Sequence, residues 1–146
     1  MRRRSRGQAL AEFALVAPIF FLLLFGIIEG GRFILYYQAL NNAVREGARY
    51  AIVHGSRSSC PSGPMEAGIP APACYDAAGA KVVQKVKDTA FGTLGTSVVV
   101  SPSWATDNAR DSDVSVMATY TYRSLIPLVP LPPISITAES NLVINH

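Results

Sequence analysis

Histidine and cysteine are scarce in this chain of 146 residues, which contains two of each. His54 and His146 lie far apart in the sequence, which leaves little material for catalysis by histidine. The phosphate-binding loop, the His-Glu-x-x-His pattern, the Gly-x-Ser-x-Gly turn and the dinucleotide-binding fingerprint are also absent. A zinc site would need two ligands beyond Cys60 and Cys74, and the distant histidines are poorly placed to supply them. The sequence therefore predicts no enzyme, no cofactor and no metal site.

The excess of positive charge is confined to the first seven residues. The chain has 13 Lys and Arg against 10 Asp and Glu, and four of the basic residues are Arg2, Arg3, Arg4 and Arg6. Without residues 1–7, nine basic side chains remain against ten acidic ones, a formal balance of −1. A nucleic-acid partner would therefore have little electrostatic support. The arginines are instead typical of a segment that stays on the cytoplasmic side of a membrane.

A long apolar run follows the arginines. Residues 9–28 form a stretch of 20 in which Glu12 is the only charged residue, and residues 13–28 carry no charge. A membrane-spanning helix needs about 20 such residues, whereas the apolar part of a cleaved signal peptide has about 7–15. The residues that follow, 29–32, read Glu-Gly-Gly-Arg and offer no small-residue cleavage site. We therefore predict a retained transmembrane helix over residues 8–30, with the amino terminus cytoplasmic and the carboxyl-terminal domain outside.

Glu12 is unusual because an ionisable side chain within a membrane segment is a functional hypothesis by default. The basic leader ends at Gly7, just before the apolar run begins. If the chain is cut after Gly7, the new amino group at Gln8 lies about one helical turn from Glu12. Such a charge pair could be used between neighbouring subunits.

Two segments near the amino terminus carry a recognisable pattern. Residues 6–15 read Arg-Gly-Gln-Ala-Leu-Ala-Glu-Phe-Ala-Leu, and residues 38–51 read Gln-Ala-Leu-Asn-Asn-Ala-Val-Arg-Glu-Gly-Ala-Arg-Tyr-Ala. Together with Ile-Ser-Ile-Thr-Ala-Glu at residues 134–139, they resemble TadE-like proteins, pseudopilins of the tight-adherence (Tad) pilus system. Prepilins of the type IV superfamily have a basic leader that ends in Gly and a Glu at the fifth mature position, which Gly7 and Glu12 match.

The resemblance implies a structural subunit, a pilin or pseudopilin of a Tad/Flp filament. A prepilin peptidase would cut between Gly7 and Gln8, and Glu12 and Phe13, which fit the Glu-Tyr/Phe pair of the Flp-type subgroup, would serve assembly. Gln8 replaces the Phe or Met that is N-methylated in many type IV pilins, so we do not infer its methylation. The implied partners are the peptidase, other pilin or pseudopilin subunits, an inner-membrane assembly platform and the lipid bilayer. The protein would reside in the cell membrane, or outside the cell in a pilus.

Two classes of function remain open at this point. One is an assembly subunit that moves from the membrane into, or beneath, a filament. The other is a solitary signal-anchored binding domain that never polymerises. Gly7 and Glu12 favour the first class, because a plain anchor has no use for a leader ending in glycine or for a carboxylate in the bilayer.

The helix is expected to continue outside the membrane over residues 31–55. Apolar side chains recur at three- and four-residue steps from Phe33 to Ile52, as on one face of a helix. Gly55 and Ser56 then supply a stop signal.

Residues 56–146 predict a small exported domain that opens with a loop. Residues 56–76 are rich in Gly, Ser, Pro and Ala and contain both cysteines, Cys60 and Cys74. A lone pair of cysteines outside the membrane suggests a disulfide in an oxidising compartment.

A helix and several strands are expected after this loop. Asp76 is a plausible N-cap and Gly95 a suitable end, and the apolar stripe between them consists of Val82, Val83, Val86, Ala90 and Leu94. Residues 97–101 are rich in β-branched side chains, and apolar and polar side chains alternate over residues 114–122 and 134–138. The predicted fold is α+β and pilin-like: a long transmembrane helix continues into a domain with a second helix and an antiparallel sheet.

Two surface stretches allow more than one interpretation. Asp107, Asp111 and Asp113 offer oxygen ligands for calcium, but the EF-hand spacing is absent and Arg110 opposes a cation, so a solvated turn is the default. Residues 125–133 combine prolines with five aliphatic side chains, and the prolines exclude a central strand. This stretch could pack under the long helix or contact a partner subunit or the bilayer surface.

Overall fold

The computed structural model describes residues 4–125 and 132–145 of the chain. Its elements, in chain order, are α1 (Arg4–Val53), α2 (Ala80–Leu94), β1 (Val98–Trp104), β2 (Asp113–Tyr122) and β3 (Ile134–Val143). The strands form one antiparallel sheet in the order β1-β2-β3. The α+β class predicted from the sequence is therefore confirmed.

Helix α1 contains 50 residues and is about 75 Å long at about 1.5 Å per residue. It is continuous through Pro18 and ends one residue before His54. Its second half turns an apolar face to the domain, and the buried side chains there are Leu40, Ala43, Val44, Ala48 and Ala51. The three- and four-residue spacing in the sequence is confirmed, because these positions share one face of the helix.

Helix α2 begins later than Asp76 suggests. Its N-cap is Gly79, whose φ of 67° is left-handed, so the prediction of Asp76 as N-cap was wrong. Asp76 reaches the helix from three residues earlier, where its Oδ2 accepts a hydrogen bond from the backbone N–H of Lys81 at 2.7 Å. Partial burial works to raise the pKa of Asp76, but the N–H groups of Lys81 and Ala80 outweigh it and leave that pKa below its ordinary value. The carboxylate thus satisfies N–H groups at the helix start although it stands outside the cap position.

The apolar stripe of α2 packs closely on α1. Its buried members are Val82, Val86, Ala90 and Leu94. Val83, which the sequence places in the same stripe, is only half-buried. A Cβ on Gly47 of α1 would overlap Cγ2 of Val86, so the two helices approach each other closely at this glycine.

One face of the sheet covers the helices. Strand β2 alternates as its sequence predicts, and its buried residues are Val114, Val116, Ala118 and Tyr122. Strand β1 continues to Trp104, beyond the expected end at residue 101, and includes Pro102. An edge strand tolerates proline, because the missing N–H can face away from the neighbouring strand.

The first residue of β3 differs from expectation. Ile134 was predicted to alternate inward with Ile136 and Ala138, but it is 41% exposed while the other two are buried. Ile134 pairs with Tyr122, the last residue of β2, and the register between the two strands is continuous up to this pair. The exposure of Ile134 therefore comes from its place at the end of β3 and not from a change of register.

The opposite end of the domain, where β1 ends and β2 begins, is called the distal end here. Asn108 is fully buried at this end, and its Nδ2 donates to the carbonyl oxygens of His54 and Ser62, each at 2.9 Å. The Trp104 ring lies so close to Gly63 that a Cβ there would come within 2.5 Å of it. These contacts connect the end of α1, the loop and the sheet.

Candidate functional site: the free half of the first helix

The first half of α1 projects from the domain with its apolar side chains uncovered. Leu15 is 72% exposed and Ile19 is 65% exposed, and most of the other large apolar residues from Leu15 to Ile28 are exposed as well. A stretch of this extent marks a surface that contacts lipid or other protein. Among the described residues, one helix is long and apolar enough to cross a membrane, within Gly7–Val53. The structure is thus consistent with a single-pass membrane protein.

Gly7 and Gln8, which flank the cleavage point expected from the sequence, lie within α1 and are exposed. No heavy atom lies within 4 Å of the position that a Cβ on Gly7 would occupy. Glycine therefore fills no packing need at this position, and the peptide bond that follows it is open to the surroundings.

Glu12 and Phe13 lie one helical turn beyond this point. The side-chain amide Nε2 of Gln8 donates a hydrogen bond to Oε1 of Glu12 at 3.2 Å. Phe13 is 68% exposed. The structure therefore brings Gln8 and Glu12 together within one chain and leaves the Phe13 ring available for an external contact.

A polar cluster joins the free half of α1 to the end of the sheet; we call Glu29, Arg32, Tyr36 and Tyr122 the junction cluster. The Tyr122 hydroxyl donates to Oε1 of Glu29 at 2.5 Å, and the backbone N–H of Leu125 donates to the same oxygen at 3.3 Å. Burial, together with the hydrogen bond to Glu29, raises the pKa of Tyr122 to about 12. Tyr122 therefore remains a protonated donor at neutral pH.

Arg32 completes the junction cluster from the same helix. Its Nη1 lies 3.2 Å from Oε2 of Glu29, and its Nη2 donates to the Tyr36 hydroxyl at 3.2 Å. The guanidinium carbon lies 5.4 Å and 5.7 Å from the ring centroids of Tyr36 and Tyr122, within range of cation–π attraction. Phe33 packs edge-on against Tyr122 at 5.5 Å between ring centroids.

Sequence reasoning did not identify the junction cluster as a unit. The sequence does contain Glu29 and Arg32, two opposite charges three residues apart directly after the apolar run, and this spacing predicts an ion pair on the helix. Nothing in the local sequence indicates that Tyr122, 93 residues further along the chain, is the partner of Glu29.

The disulfide between Cys60 and Cys74 is present in the structure, with the Cα atoms 5.3 Å apart. Within the bridged loop, the Ser62 hydroxyl donates to Oδ2 of Asp76 at 3.0 Å, and Gly63 N–H donates to the Asp76 carbonyl at 2.8 Å. The bridge therefore holds a loop that the chain also fixes by hydrogen bonds.

The acidic stretch forms a turn. Oδ1 of Asp107 accepts hydrogen bonds from Ala109 N–H at 3.1 Å and from the Ser112 hydroxyl at 3.0 Å. Asp111 adopts a positive φ of 64°, which aspartate tolerates better than most residues. Over residues 4–125 and 132–145, no group of three or more His, Cys, Asp or Glu side chains is placed to hold a metal ion. Oδ1 of Asp107 is thus engaged in the turn.

The proline-rich stretch at residues 125–133 lies largely outside the described residues, which omit 126–131. Leu125 at its beginning is 70% exposed, and Pro132 and Pro133 at its end are exposed. The expectation that this stretch packs under α1, or contacts a partner or the bilayer, stays a prediction.

The fold and the site together define a small α+β domain carried on an apolar helix that is long enough to span a membrane. The family model described as TadE-like protein matches residues 7–49. No curated protein and no solved structure matches the chain. The TadE-like resemblance is confirmed over the matched residues.

Proposed function

We propose that the chain is a pilin or pseudopilin, a structural subunit that a Tad/Flp pilus machine draws from the membrane into or beneath a filament. The observation that carries the proposal is the free half of α1, which is apolar, uncovered and marked by one carboxylate near its start. The apolar surface of such a helix can contact lipid while the chain is in the membrane. The same surface can pack against the helices of other subunits after assembly. The TadE-like match over residues 7–49 supports the same assignment and favours a structural role over catalysis.

Processing by a prepilin peptidase is the first step of this proposal. The peptide bond between Gly7 and Gln8 lies next to four arginines, and the Cβ position of Gly7 is unobstructed. Cutting there removes the basic leader and creates an ammonium group on Gln8. The mature chain then begins with the helix itself.

Assembly follows from the new charge. The Gln8 and Glu12 side chains meet at 3.2 Å within one chain. We propose that, after cleavage, the ammonium at Gln8 of one subunit pairs with Glu12 of its neighbour. A buried ion pair of this kind fixes register, because leaving one of its charges unpaired in a low-dielectric bundle is costly. Phe13 would pack against the adjoining helices.

The remaining partners follow from topology. Arginines at the start of the chain favour a cytoplasmic amino terminus, and in that orientation the domain would lie outside the membrane. The disulfide between Cys60 and Cys74 fits an oxidising exterior. We expect contacts with the peptidase, the assembly platform, other subunits and lipid.

The test is the mature amino terminus, determined by mass spectrometry on protein from sheared filaments and, separately, from membranes. We expect Gln8 as the first residue in both fractions. A Gly7→Val variant should keep Met1 because a β-branched side chain obstructs the cut, whereas Gly7→Ala serves as the small-residue control. An intact Met1 in cells that contain the peptidase would contradict processing. A processed chain found in neither filaments nor pilus complexes would indicate the solitary anchored domain instead.

A further inference from the structure

The end of the domain nearest to Glu29 presents exposed apolar side chains from three separate segments. The backbone N–H of Leu125 donates a hydrogen bond to the Glu29 carboxylate. Ile134 is paired with Tyr122 in the sheet, and the Tyr122 hydroxyl donates to the same carboxylate. Ile34 and Leu35 follow Glu29 by little more than one turn of α1. We call Ile34, Leu35, Leu125 and Ile134 the base; their exposed fractions are 56%, 53%, 70% and 41%.

The length of α1 fixes the position of the base relative to a membrane. The apolar residues 9–28 span about 30 Å at about 1.5 Å per residue, which equals the thickness of a bilayer hydrocarbon core. Glu29 then stands at the outer edge of the hydrocarbon. The headgroup layer adds roughly 5–8 Å on each side, which corresponds to about four or five residues of helix and reaches Ile34. The hydrogen bond from Leu125 N–H to Glu29 keeps Leu125 near this level. Ile134 is the strand neighbour of Tyr122, whose hydroxyl reaches the same carboxylate.

The charges at this end fit the same position. Glu29 is paired with Arg32 and hydrogen-bonded to Tyr122, so its charge is compensated where water is scarce. Arg123, which follows Tyr122 in the chain, is exposed and can meet lipid phosphate. The aspartates at positions 107, 111 and 113 lie at the distal end, away from an anionic membrane surface.

We propose that the base lies in the headgroup layer on the outer face of the membrane that anchors the chain, and that it contacts phospholipid there. This inference rests on the membrane anchoring in the proposed function. The domain is then seated on the bilayer rather than suspended above it. The junction cluster holds the domain against the helix at the depth where the helix leaves the hydrocarbon.

The test uses the full chain in dilute proteoliposomes that contain phosphatidylcholine, phosphatidylglycerol and lipids brominated near the headgroup end of the acyl chain. Bromine quenches tryptophan fluorescence at short range. Trp104 is the only native tryptophan and lies at the distal end, so it supplies an unquenched background. An added tryptophan is introduced by Ile134→Trp at the base or by Val143→Trp at the other end of β3. Val143→Trp is the control for Ile134→Trp, since both positions are exposed on the same edge strand, at 45% and 41%.

We expect the Ile134→Trp variant to lose the added emission in brominated vesicles, while Val143→Trp and the native chain keep theirs. A Phe25→Trp variant, changed within the outer part of the apolar run near the brominated carbons, reports insertion of the helix itself. If Phe25→Trp is quenched but Ile134→Trp is quenched no more than Val143→Trp, the base proposal is wrong and the anchoring stands. If Phe25→Trp is not quenched, membrane anchoring itself fails and the base proposal fails with it.

Discussion

The two carboxylates of the free half of α1 have different surroundings at the residue scale. Glu29 is enclosed by Arg32, Tyr122 and the N–H of Leu125. Glu12 has an uncharged partner in the described structure, the Gln8 amide at 3.2 Å. The charge of Glu29 is therefore balanced by Arg32, whereas the hydrogen-bond partner of Glu12 is a neutral amide.

Glu12→Leu should separate insertion from assembly. Insertion should be unchanged or improved, because an acidic residue at the centre of a membrane helix costs about 2.5–3.5 kcal/mol. Recovery in filaments should fall strongly, because the ammonium of a neighbouring Gln8 would lose its partner. The measurement is the amount of processed protein in sheared filaments relative to membranes, with Glu12→Asp as the charge-preserving control. Normal incorporation of a cleaved Glu12→Leu protein would show that the carboxylate has no role in assembly.

Tyr122 and Asn108 illustrate what local sequence cannot reveal about a residue. Tyr122 fits a half-buried strand, but its hydrogen bond to Glu29 crosses 93 positions. Asn108 sits in a polar turn by sequence, yet it is fully buried and bonds to carbonyl oxygens 54 and 46 residues away. Such partners are brought together only when the elements pack.

The interface between α1 and α2 depends on Gly47 at the scale of elements. Gly47→Ala should destabilise the domain by about 1–3 kcal/mol, because the new methyl group would overlap buried Val86. Gly92→Ala is the matched control, since nothing lies within 4 Å of a Cβ there and alanine favours helix by up to about 1 kcal/mol.

The measurement is thermal unfolding of the full chain in detergent, followed by circular dichroism. The midpoint should fall for Gly47→Ala and rise slightly or stay constant for Gly92→Ala. Equal shifts for the two variants would contradict a specific close contact at Gly47.

Some features of the helices and strands depend on local apolar spacing, whereas others depend on loop geometry or on the position of a strand in the sheet. The buried face of α1 and the alternation in β2 follow from apolar spacing, so the sequence predicted them correctly. The start of α2 depends on the left-handed Gly79 and on a carboxylate that reaches forward from Asp76, and the sequence placed that start too early. The extension of β1 through Pro102 depends on its position at the sheet edge, which periodicity does not encode.

At the scale of the whole molecule, the bridge between Cys60 and Cys74 is a test of topology. Both cysteines lie on the domain, so they should be oxidised on the outer side of the membrane. A membrane-impermeant thiol reagent should label neither residue in unreduced cells and both after reduction, with a Cys60→Ser/Cys74→Ser variant as the blank.

Reduction should also weaken the domain. In the chain-entropy model, closure of a loop of this size contributes about 3 kcal/mol, and the bridged positions are 14 residues apart. Trp104 packs against Gly63 inside the bridged loop, so its fluorescence reports the loosening directly. Labelling of freshly isolated, unreduced protein would contradict both the bridge and the oxidising location.

The sequence by itself determined the free half of α1, because an apolar run of membrane length that begins after Gly7 and carries Glu12 is a matter of local composition. It also determined the α+β class, because apolar side chains recur with a period of about 3.6 residues in the helices and of 2 residues in the strands, and both periods can be recognised in short stretches of sequence. Tertiary structure decided how the domain sits on that helix. The Glu29–Tyr122 hydrogen bond and the Gly47–Val86 contact join residues that are distant in the chain, and such burial and hydrogen bonding exist only after packing.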